Sequence, residues 1–331
     1  MALAARPVVL ELLAASINVA RRAGGIIRDV LSSGELRTVD KVRRRLPSLP
    51  TVTAVTAVTT TTAAAAGKAD RRAQHCIIES LRRRWPALAI IGEEGAIGGS
   101  EHDVVAEVLD AADQGVIDAI LTERSGGCPS TLQKATLDQI SVWVDPLDGT
   151  KEFTEGFPEN VTVLIGIAIN GTPEAGVIHQ PFFKAANSVT GRTIWAAHGL
   201  GVHGTEVKWR NVARDGRIVA TTRSHPSPAI ERALAAAQPA SIVRIGGAGN
   251  KIVHILDGDF DAYLFPSPGT SKWDTCAGEA ILRAAGGHLT DQSGASYDYS
   301  AKAELANARG VVASLSDHAF YLSCTKPPAQ L

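Results

Sequence analysis

The chain has 331 residues, of which 45% are hydrophobic and 20% charged, and its formal net charge is −1. This composition is that of an ordinary globular protein and excludes disorder over most of the chain, while the balanced charge argues against a general binder of nucleic acid polymers. The length exceeds what one hydrophobic core usually serves, so we expect two closely packed subdomains, 1–192 and 193–331.

The four cysteines (Cys76, Cys128, Cys276 and Cys324) are widely spaced and form no C-x-x-C pair. We therefore expect small, buried, reduced side chains and no thiolate zinc site. No run approaches the roughly 20 apolar residues that span a bilayer, and the N-terminus lacks the basic-then-apolar order of a secretory signal. We expect a cytoplasmic protein that does not contact a membrane. A mitochondrial presequence is the alternative, which Glu11 disfavours.

Helices and strands are expected in mixed order, and this mixture predicts a layered α/β (α+β) architecture. The first helix rests on an apolar stripe at steps of three and four, and the longest strand is rich in β-branched residues. The predicted helices lie at 8–31, 70–84, 103–112, 227–237, 249–257 and 274–285. The predicted strands lie at 88–91, 141–145, 161–169, 175–179, 193–197, 217–222, 241–245, 261–265 and 310–315, and a turn is predicted at Gly126-Gly127.

One stretch differs from the rest in composition. From Thr51 to Ala66 the chain contains only threonine, valine and alanine, and three arginines and two prolines precede it. Low-complexity tracts of this kind rarely pack in a unique way. We expect a surface loop or a disordered insert here, with an exposed hairpin as the alternative.

The strongest chemical signal is the segment WVDPLDGT at 143–150. An apolar strand delivers Asp145 at its end, and a proline and a glycine turn the chain there. Two carboxylates three residues apart on a tight turn converge, and they repel each other unless a cation lies between them. Such hard oxygen ligands suit magnesium, and a backbone carbonyl in the turn can add another. Gly149 and Thr150 offer N–H groups and a hydroxyl to a phosphate. The alternative is a purely structural turn in which each aspartate binds local backbone N–H groups.

Two further acidic segments follow apolar strands or open helices. Glu93-Glu94 follows Gly92, which ends the predicted strand at 88–91, and a solvated loop is the alternative interpretation here. Asp274 follows Trp273 at the start of a predicted helix. It either caps that helix or joins the metal site, where the helix N-terminus favours anions.

Two polar segments are suited to contact a bound anion. In GGAGNK (246–251) the glycines allow close approach of the backbone and Lys251 can meet a phosphate, although the spacing of a dinucleotide-binding motif is absent. In TTRSH (221–225) hydroxyls, a cation and an imidazole follow a strand. A glycine-rich turn and a structural histidine are the respective alternatives.

Together and in this order, these segments resemble the lithium-inhibited, magnesium-dependent phosphomonoesterase superfamily that includes inositol monophosphatase. Five strings are similar to its 3′(2′),5′-bisphosphate nucleotidase branch: WVDPLDGTKEFTEG (143–156), NVTVLIGIA (160–168), TTRSH, GGAGNK and KWDTCA (272–277). The resemblance covers 8–41 and 68–324. It implies a layered α-β-α-β-α sandwich of the inositol monophosphatase type. It also implies hydrolysis of adenosine 3′,5′-bisphosphate, or its 2′,5′ isomer, to AMP and phosphate by a metal-activated water.

The resemblance also implies residue roles, a small phosphorylated substrate, a homodimer, and two or three Mg²⁺ ions. The implied metal ligands are Glu93, Asp145, the Leu147 carbonyl, Asp148 and Asp274. The implied catalytic residues are Asp70, which orients or deprotonates the attacking water, and Thr150, which shares that task. The implied substrate contacts are Thr222, His225, Gly247 and Lys251.

The segment 42–67 departs from the family pattern. The family has a short, mobile loop there with an aspartate and a threonine, whereas this chain has a low-complexity insert with Ala64 and Gly67 at the equivalent positions. The departure bears on the third metal ion and on the placement of Asp70. It motivates one alternative, a catalytically impaired homologue that still binds metal and nucleotide. A separate alternative keeps the enzyme class and changes the substrate, as an inositol polyphosphate 1-phosphatase-like activity.

Overall fold

The computed structural model describes residues 6–33, 51–96, 98–105, 108–123, 127–185, 188–189 and 191–326. The helices are α1 (Val8–Ser32), α2 (Thr51–Arg84), α3 (Ala111–Glu123), α4 (Ser130–Lys134), α5 (Thr150–Glu155), α6 (Val212–Asp215), α7 (Pro228–Ala237), α8 (Ala248–Leu256), α9 (Lys272–Ala284) and α10 (His318–Thr325). The strands are β1 (Ala89–Gly92), β2 (Ile140–Asp148), β3 (Thr162–Ile169), β4 (Thr172–Gln180), β5 (Lys184–Ala185), β6 (Ser188–Val189), β7 (Arg192–Ala197), β8 (Gly201–His203), β9 (Ile218–Thr221), β10 (Ser241–Arg244), β11 (Ala262–Phe265), β12 (His288–Thr290) and β13 (Val311–Ser314).

Two sheets organise the fold. The six-stranded sheet has the order β1-β2-β3-β4-β7-β8 and the five-stranded sheet the order β10-β9-β11-β13-β12. Helices α1 and α2 pack on the first sheet, α8 and α9 lie between the sheets, and α7 and α10 pack on the second. Alternation along β3 shows this division: Val163, Ile165 and Ile167 join the core under α1 and α2, whereas Leu164 joins the core with α8 and α9. The layered α/β prediction is confirmed.

The prediction of a loop, insert or hairpin over Thr51–Ala66 is wrong, because α2 runs without interruption from Thr51 to Arg84. Ala65 and Ala66 are each 1% exposed and belong to the core that α2 shares with α1. Alanine has the highest helix propensity, and a buried packing surface stabilises a helix more than composition does. The remaining residues of the predicted insert, 42–50, lie outside the described residues.

Several other elements differ from prediction. The helix expected near 103–112 is instead a short 3₁₀ turn at Glu101–Asp103, and α3 begins only at Ala111. The sequence did not predict helices α4, α5, α6 and α10 or strands β5, β6, β8 and β12, since most are too short to show a periodic pattern. At the predicted glycine turn, Gly127 has φ +62° and Gly126 lies outside the described residues.

The remaining predicted helices and strands lie within a few residues of their expected bounds. The division at residue 192 stays a prediction; in the structure the chain passes from one sheet to the other between His203 and Ile218. Three of the four cysteines are buried, and Cys128 is half-buried. Among the described helices, none is both long and apolar enough to cross a bilayer.

Helix α9 approaches the six-stranded sheet closely where two glycines face it. Gly166 of β3 and Gly176 of β4 are direct cross-strand partners. A Cβ atom at Gly166 would lie 2.4 Å from Cys276 Sγ, and one at Gly176 would lie 2.5 Å from the Ala277 carbonyl oxygen. The two glycines therefore set the depth at which α9 lies, and with it the position of Asp274 in the first turn of that helix.

Candidate metal and phosphate site

The aspartates of the WVDPLDGT segment lie on a β-bulge at the end of β2. Asp145 pairs with Leu164 and Asp148 pairs with Thr162, so β2 has one residue more than β3 over this stretch. Residues three apart on a regular strand point to opposite faces, and the extra residue of a bulge returns them to the same face. Pro146 suits the bulge because it has no N–H to donate to the ladder.

Carboxylate oxygens of Asp145, Asp148 and Asp274 lie within 4.8 Å of one another. Glu93, directly after β1, lies against Asp145, and its backbone N–H donates to the Val144 carbonyl at 3.2 Å. Strands β1 and β2 are parallel, so both deliver their carboxylates to the same sheet edge. Four acids that the sequence singled out therefore meet at one place.

Burial and the neighbouring carboxylates make ionisation of the acidic cluster unfavourable. Burial, followed by the carboxylates of Glu93, Asp148 and Asp274, raises the pKa of Asp145 well above its ordinary value. Burial is also the largest cause of the raised pKa of Glu93 and of Asp274. A cation bound among these oxygens would relieve the repulsion. The donor set, all hard oxygen, fits a divalent metal ion of the magnesium type.

Asp145 also forms the local turn that the sequence left as an alternative. Its Oδ1 accepts a hydrogen bond from the Leu147 N–H at 3.0 Å, which is an Asx turn. The two interpretations are compatible, because the hydrogen bond fixes the carboxylate while the cluster gives it a further role.

The Asp148 carboxylate lies on the N-terminus of α8. Its two oxygens accept hydrogen bonds from the backbone N–H groups of Ala248 and Gly249, at 2.8 and 2.9 Å. The Thr162 hydroxyl donates to Oδ2 at 2.6 Å. A Cβ at Gly247 would lie 3.2 Å from the same oxygen. The glycines of GGAGNK thus allow close approach of an anion, and the anion that occupies the helix N-terminus is Asp148 itself.

Asp274 is the third residue of α9 rather than its N-cap. Ser271 is the N-cap, and the Asp274 carboxylate accepts a hydrogen bond from the Ser271 N–H at 2.5 Å, within a capping box. The side chain therefore caps its helix and faces the acidic cluster at the same time. The helix begins at Lys272, two residues before the predicted start.

Asp70 lies in the middle of α2 and is 4% exposed. Its Oδ1 is buried without a hydrogen-bond partner. Burial, then the charges of Glu93 and Glu94, raise the pKa of Asp70 to about 8, and Arg71 opposes them. The side chain is therefore close enough to the acidic cluster to share its electrostatics.

Thr150 is the first residue of α5, directly after Gly149, whose φ of +87° lies in the left-handed region. The Thr150 hydroxyl donates a hydrogen bond to the Leu147 carbonyl at 3.0 Å. Helix α5 packs against α2, so the elements that carry Thr150 and Asp70 are in contact.

A cavity of about 190 Å³ opens beside the acidic cluster. Its lining contains seven of the eleven site residues predicted from the sequence: Asp148, Thr150, Thr222, His225, Gly247, Lys251 and Asp274. The other four residues lie next to this set. Asp145 and Glu93 belong to the acidic cluster, and the Leu147 carbonyl accepts the hydrogen bond of the Thr150 hydroxyl. Asp70 interacts electrostatically with Glu93.

Lys251 and Thr222 both line the cavity, and each is hydrogen-bonded within its own segment of the chain. The Lys251 ammonium group donates to the Gly247 carbonyl at 2.7 Å and lies 4.8 Å from the centre of the Tyr263 ring. Burial lowers the pKa of Lys251 to about 8. The Thr222 hydroxyl oxygen accepts hydrogen bonds from the Ser224 and His225 N–H groups, both at 3.2 Å. His225 itself is exposed.

Several residues that build the site were missed. They are Glu152, Asn160, Thr162, Tyr263 and Ser271. Thr162 and Glu152 form hydrogen bonds with motif residues that lie on other strands and loops, so only the tertiary fold reveals their role. Ser271 had a local signal, because a serine three residues before an acid is the capping-box pattern.

Comparison with known proteins places the chain among phosphatases. Residues 9–320 match the family model described as the inositol monophosphatase family. Human 3′(2′),5′-bisphosphate nucleotidase 1 is 40% identical over 319 residues, which cover 96% of this chain and 94% of that protein. The human Golgi-resident adenosine 3′,5′-bisphosphate 3′-phosphatase is 32% identical over 87% of this chain and 72% of its own length.

A solved structure supports the fold independently. The inositol monophosphatase from Anabaena (Nostoc) sp. PCC 7120 aligns with a TM-score of 0.60 and 20% sequence identity, covering 96% of this chain and 97% of that one. The family match spans nearly the whole chain, and the two sheets and the acidic turn lie within it. The chain therefore belongs to the inositol monophosphatase family.

Proposed function

We propose that this protein is a 3′(2′),5′-bisphosphate nucleotidase, a phosphoric monoester hydrolase that converts adenosine 3′,5′-bisphosphate, or its 2′,5′ isomer, to AMP and phosphate. One observation carries the proposal: Asp148 and Asp274 of the acidic cluster line the same cavity as Thr222, His225 and Lys251. A phosphate group in that cavity would lie between the cluster and a polar, partly cationic wall. The 40% identity to the human nucleotidase supports the same substrate.

We propose Mg²⁺ as the metal, with Glu93, Asp145, Asp148, Asp274 and the Leu147 carbonyl as its ligands. Burial and mutual repulsion of the carboxylates favour a bound cation, and the ligands are the hard oxygens that magnesium prefers. When bound, such ions lower the pKa of a water molecule and neutralise charge on the transferred phosphoryl group. The third ion, lithium sensitivity and a homodimer stay predictions from the resemblance, and a cytoplasmic location stays a prediction from the sequence.

The chain's own residues supply positioning and proton handling. We infer that Asp70 orients or deprotonates the attacking water, because its carboxylate is buried with one oxygen unpartnered and is close enough to Glu93 for their charges to interact. Thr150 shares this task from the first turn of α5. On the other wall, Lys251, Thr222, His225 and Gly247 bind the nucleotide.

Two alternatives make different predictions. An inositol polyphosphate 1-phosphatase-like enzyme would prefer inositol 1,4-bisphosphate to the nucleotide. A catalytically impaired homologue, motivated by the changed segment 42–67, would bind AMP and metal without turnover. Ala64 and Gly67 lie within the continuous helix α2, and Asp70 is on the same helix.

A substrate panel tests the proposal. Phosphate release is measured with magnesium from adenosine 3′,5′-bisphosphate, its 2′,5′ isomer and inositol 1,4-bisphosphate, and AMP binding is measured by calorimetry. We expect the adenosine bisphosphates to have the higher kcat/KM, by about tenfold or more. A preference for the inositol phosphate, or AMP binding without any turnover, would replace the proposal with the corresponding alternative.

A further inference from the structure

Glu152 is a buried acid that none of the roles above uses. It lies in α5, four residues after Asp148, and is 2% exposed. Its Oε1 accepts hydrogen bonds from Arg223 Nε at 2.9 Å and from Arg223 Nη2 at 2.7 Å, and its Oε2 accepts one from Asn160 Nδ2 at 2.9 Å. Burying a carboxylate is costly unless it is paired and hydrogen-bonded, and this one has both oxygens occupied.

The partners of Glu152 come from separate segments that border the cavity. Arg223 belongs to TTRSH, directly between Thr222 and the rest of that loop. On the other side, a Cβ at Gly246 would lie 2.2 Å from Glu152 Oε1, so the backbone of the GGAGNK turn lies directly on the carboxylate. Asn160 continues the contact, since its side chain also meets Asn250 at 3.4 Å. Glu152 thus connects helix α5, which follows the WVDPLDGT turn, to both the TTRSH and the GGAGNK segments.

The guanidinium group of Arg223 pairs with residues of the protein, and its role is therefore structural rather than to bind a phosphate. Besides Glu152 it pairs with Glu155, at 2.5 Å, and its guanidinium lies 5.1 Å from the centre of the Phe157 ring. Two carboxylates already neutralise its charge. The following residues, Ser224 and His225, line the cavity, so a shift of Arg223 would be passed along the chain to them.

We propose that Glu152 is a positioning residue for substrate recognition. Through Arg223 and Gly246 it holds the TTRSH and GGAGNK segments in place relative to the WVDPLDGT turn. This inference rests on the proposed function. The proposed metal ligands Asp145 and Asp274 have supports that do not involve Glu152, in the Leu147 N–H for Asp145 and the Ser271 N–H for Asp274. Loss of the Glu152 contacts should therefore weaken nucleotide binding more than it slows the chemical step.

The experiment compares wild-type protein with Glu152→Gln, which keeps the side-chain shape but removes the charge that pairs with Arg223. We expect the KM for adenosine 3′,5′-bisphosphate and the Kd for AMP to rise about tenfold, the effect of losing a charge-assisted hydrogen bond. The kcat should stay within about twofold, and the magnesium concentration for half-maximal activity should not change. Glu155→Gln is the matched control, because Glu155 pairs with the same arginine but is exposed; it should change KM little.

A double-variant cycle excludes a merely structural effect. If Glu152 acts through Arg223, then Arg223→Gln should reproduce the rise in KM, and the double variant should be no weaker than Arg223→Gln alone. An unchanged KM, or a fall in kcat with KM unaltered, would overturn the proposal, as would fully additive effects. Should wild-type protein release no phosphate, the proposed function fails, and the calorimetric Kd for AMP still decides the role of Glu152.

Discussion

Asp145 is surrounded by protein and lies beside three other carboxyl groups, those of Glu93, Asp148 and Asp274. Burial contributes most to its raised pKa and the neighbouring charges contribute the rest. These conditions oppose stability in the absence of a cation and favour binding of one. The Asp145 carboxyl group therefore destabilises the metal-free fold and at the same time favours binding of a cation.

Asp145→Asn should abolish magnesium-dependent turnover, with kcat/KM falling by about 100-fold or more, because a metal ligand is lost. The fold should remain, and the Tm of the metal-free protein should rise, since one of four mutually repelling carboxyls is removed. Asp138→Asn makes the same chemical change at an exposed site and serves as the control. Unchanged turnover in Asp145→Asn would remove this residue from the metal site.

Asp70 gives a pH dependence of stability. Its pKa is raised from 3.8 to about 8, so between these values the folded protein holds a proton that the unfolded chain has released. Stability of the metal-free protein should therefore decrease as pH rises through this window. Thermal unfolding of metal-free wild type and Asp70→Asn at pH 5, 6.5 and 8 measures the effect. We expect the Tm of the wild type to fall relative to that of the variant as pH rises; a constant difference would contradict the burial of this carboxyl.

The sequence predicts the acids of the cluster but not the residues that hold them in place. Asp145 and Asp148 are recognisable because a proline and a glycine mark the turn that carries them. Thr162 and Glu152 are not, since their partners are set by the register of β3 on β2 and by the meeting of distant loops. A hydrogen bond between residues 71 positions apart leaves no local pattern.

Helix α9 is the element whose placement matters most for the cluster, since it carries Asp274. It lies against Gly166 and Gly176, where any larger residue would collide with Cys276 or with the backbone of Ala277. In β-strands glycine is otherwise unfavourable, and its presence indicates a close approach of another element.

Gly166→Ala should push α9 away from the sheet. We expect a loss of about 1–3 kcal/mol in the free energy of unfolding, the range for overpacking, and a decrease in kcat/KM of about 10- to 100-fold because Asp274 moves. Gly115→Ala in α3 is the control: nothing lies within 4 Å of its Cβ position, and in a helix this change is neutral to stabilising. Chemical denaturation and phosphate release measure both. Equal behaviour of the two variants would show that the glycine contact does not position α9.

Helix α2 shows where composition misleads. The Thr51–Ala66 tract has too few residue types to predict a unique packing, yet its alanines are strong helix formers and the helix continues into the predicted segment 70–84. Burial of Ala65 and Ala66 depends on α1, a partner that lies earlier in the chain and is invisible to a local pattern.

Two matched substitutions test this helix. Ala66→Gln places a long polar side chain in the core shared with α1 and should lower stability by about 1–3 kcal/mol. Ala64→Gln makes the same change at an exposed position of the same helix and should stay within about 0.5 kcal/mol. Similar unfolding midpoints for the two variants would contradict the packing of Ala66 against α1.

On the scale of the whole molecule, the site forms where the two sheets meet through the helices between them. Asp145 and Asp148 come from the first sheet. Helix α8, whose N-terminal N–H groups bind Asp148, and helix α9, which carries Asp274, lie between the sheets. The layered order was predictable from the motif resemblance, because the family has one architecture. The exact strand pairing was not, since β8 and β12 have three residues each and gain their stability from neighbours.

The proposed function requires that this chain hydrolyse adenosine 3′,5′-bisphosphate by means of a metal held at the acidic cluster. The most direct measurement is phosphate release from that substrate by the full chain, first after metal removal with a chelator and then after magnesium is restored. We predict almost no release without metal and robust release once magnesium is added. Strong activity after complete metal removal would contradict the claim.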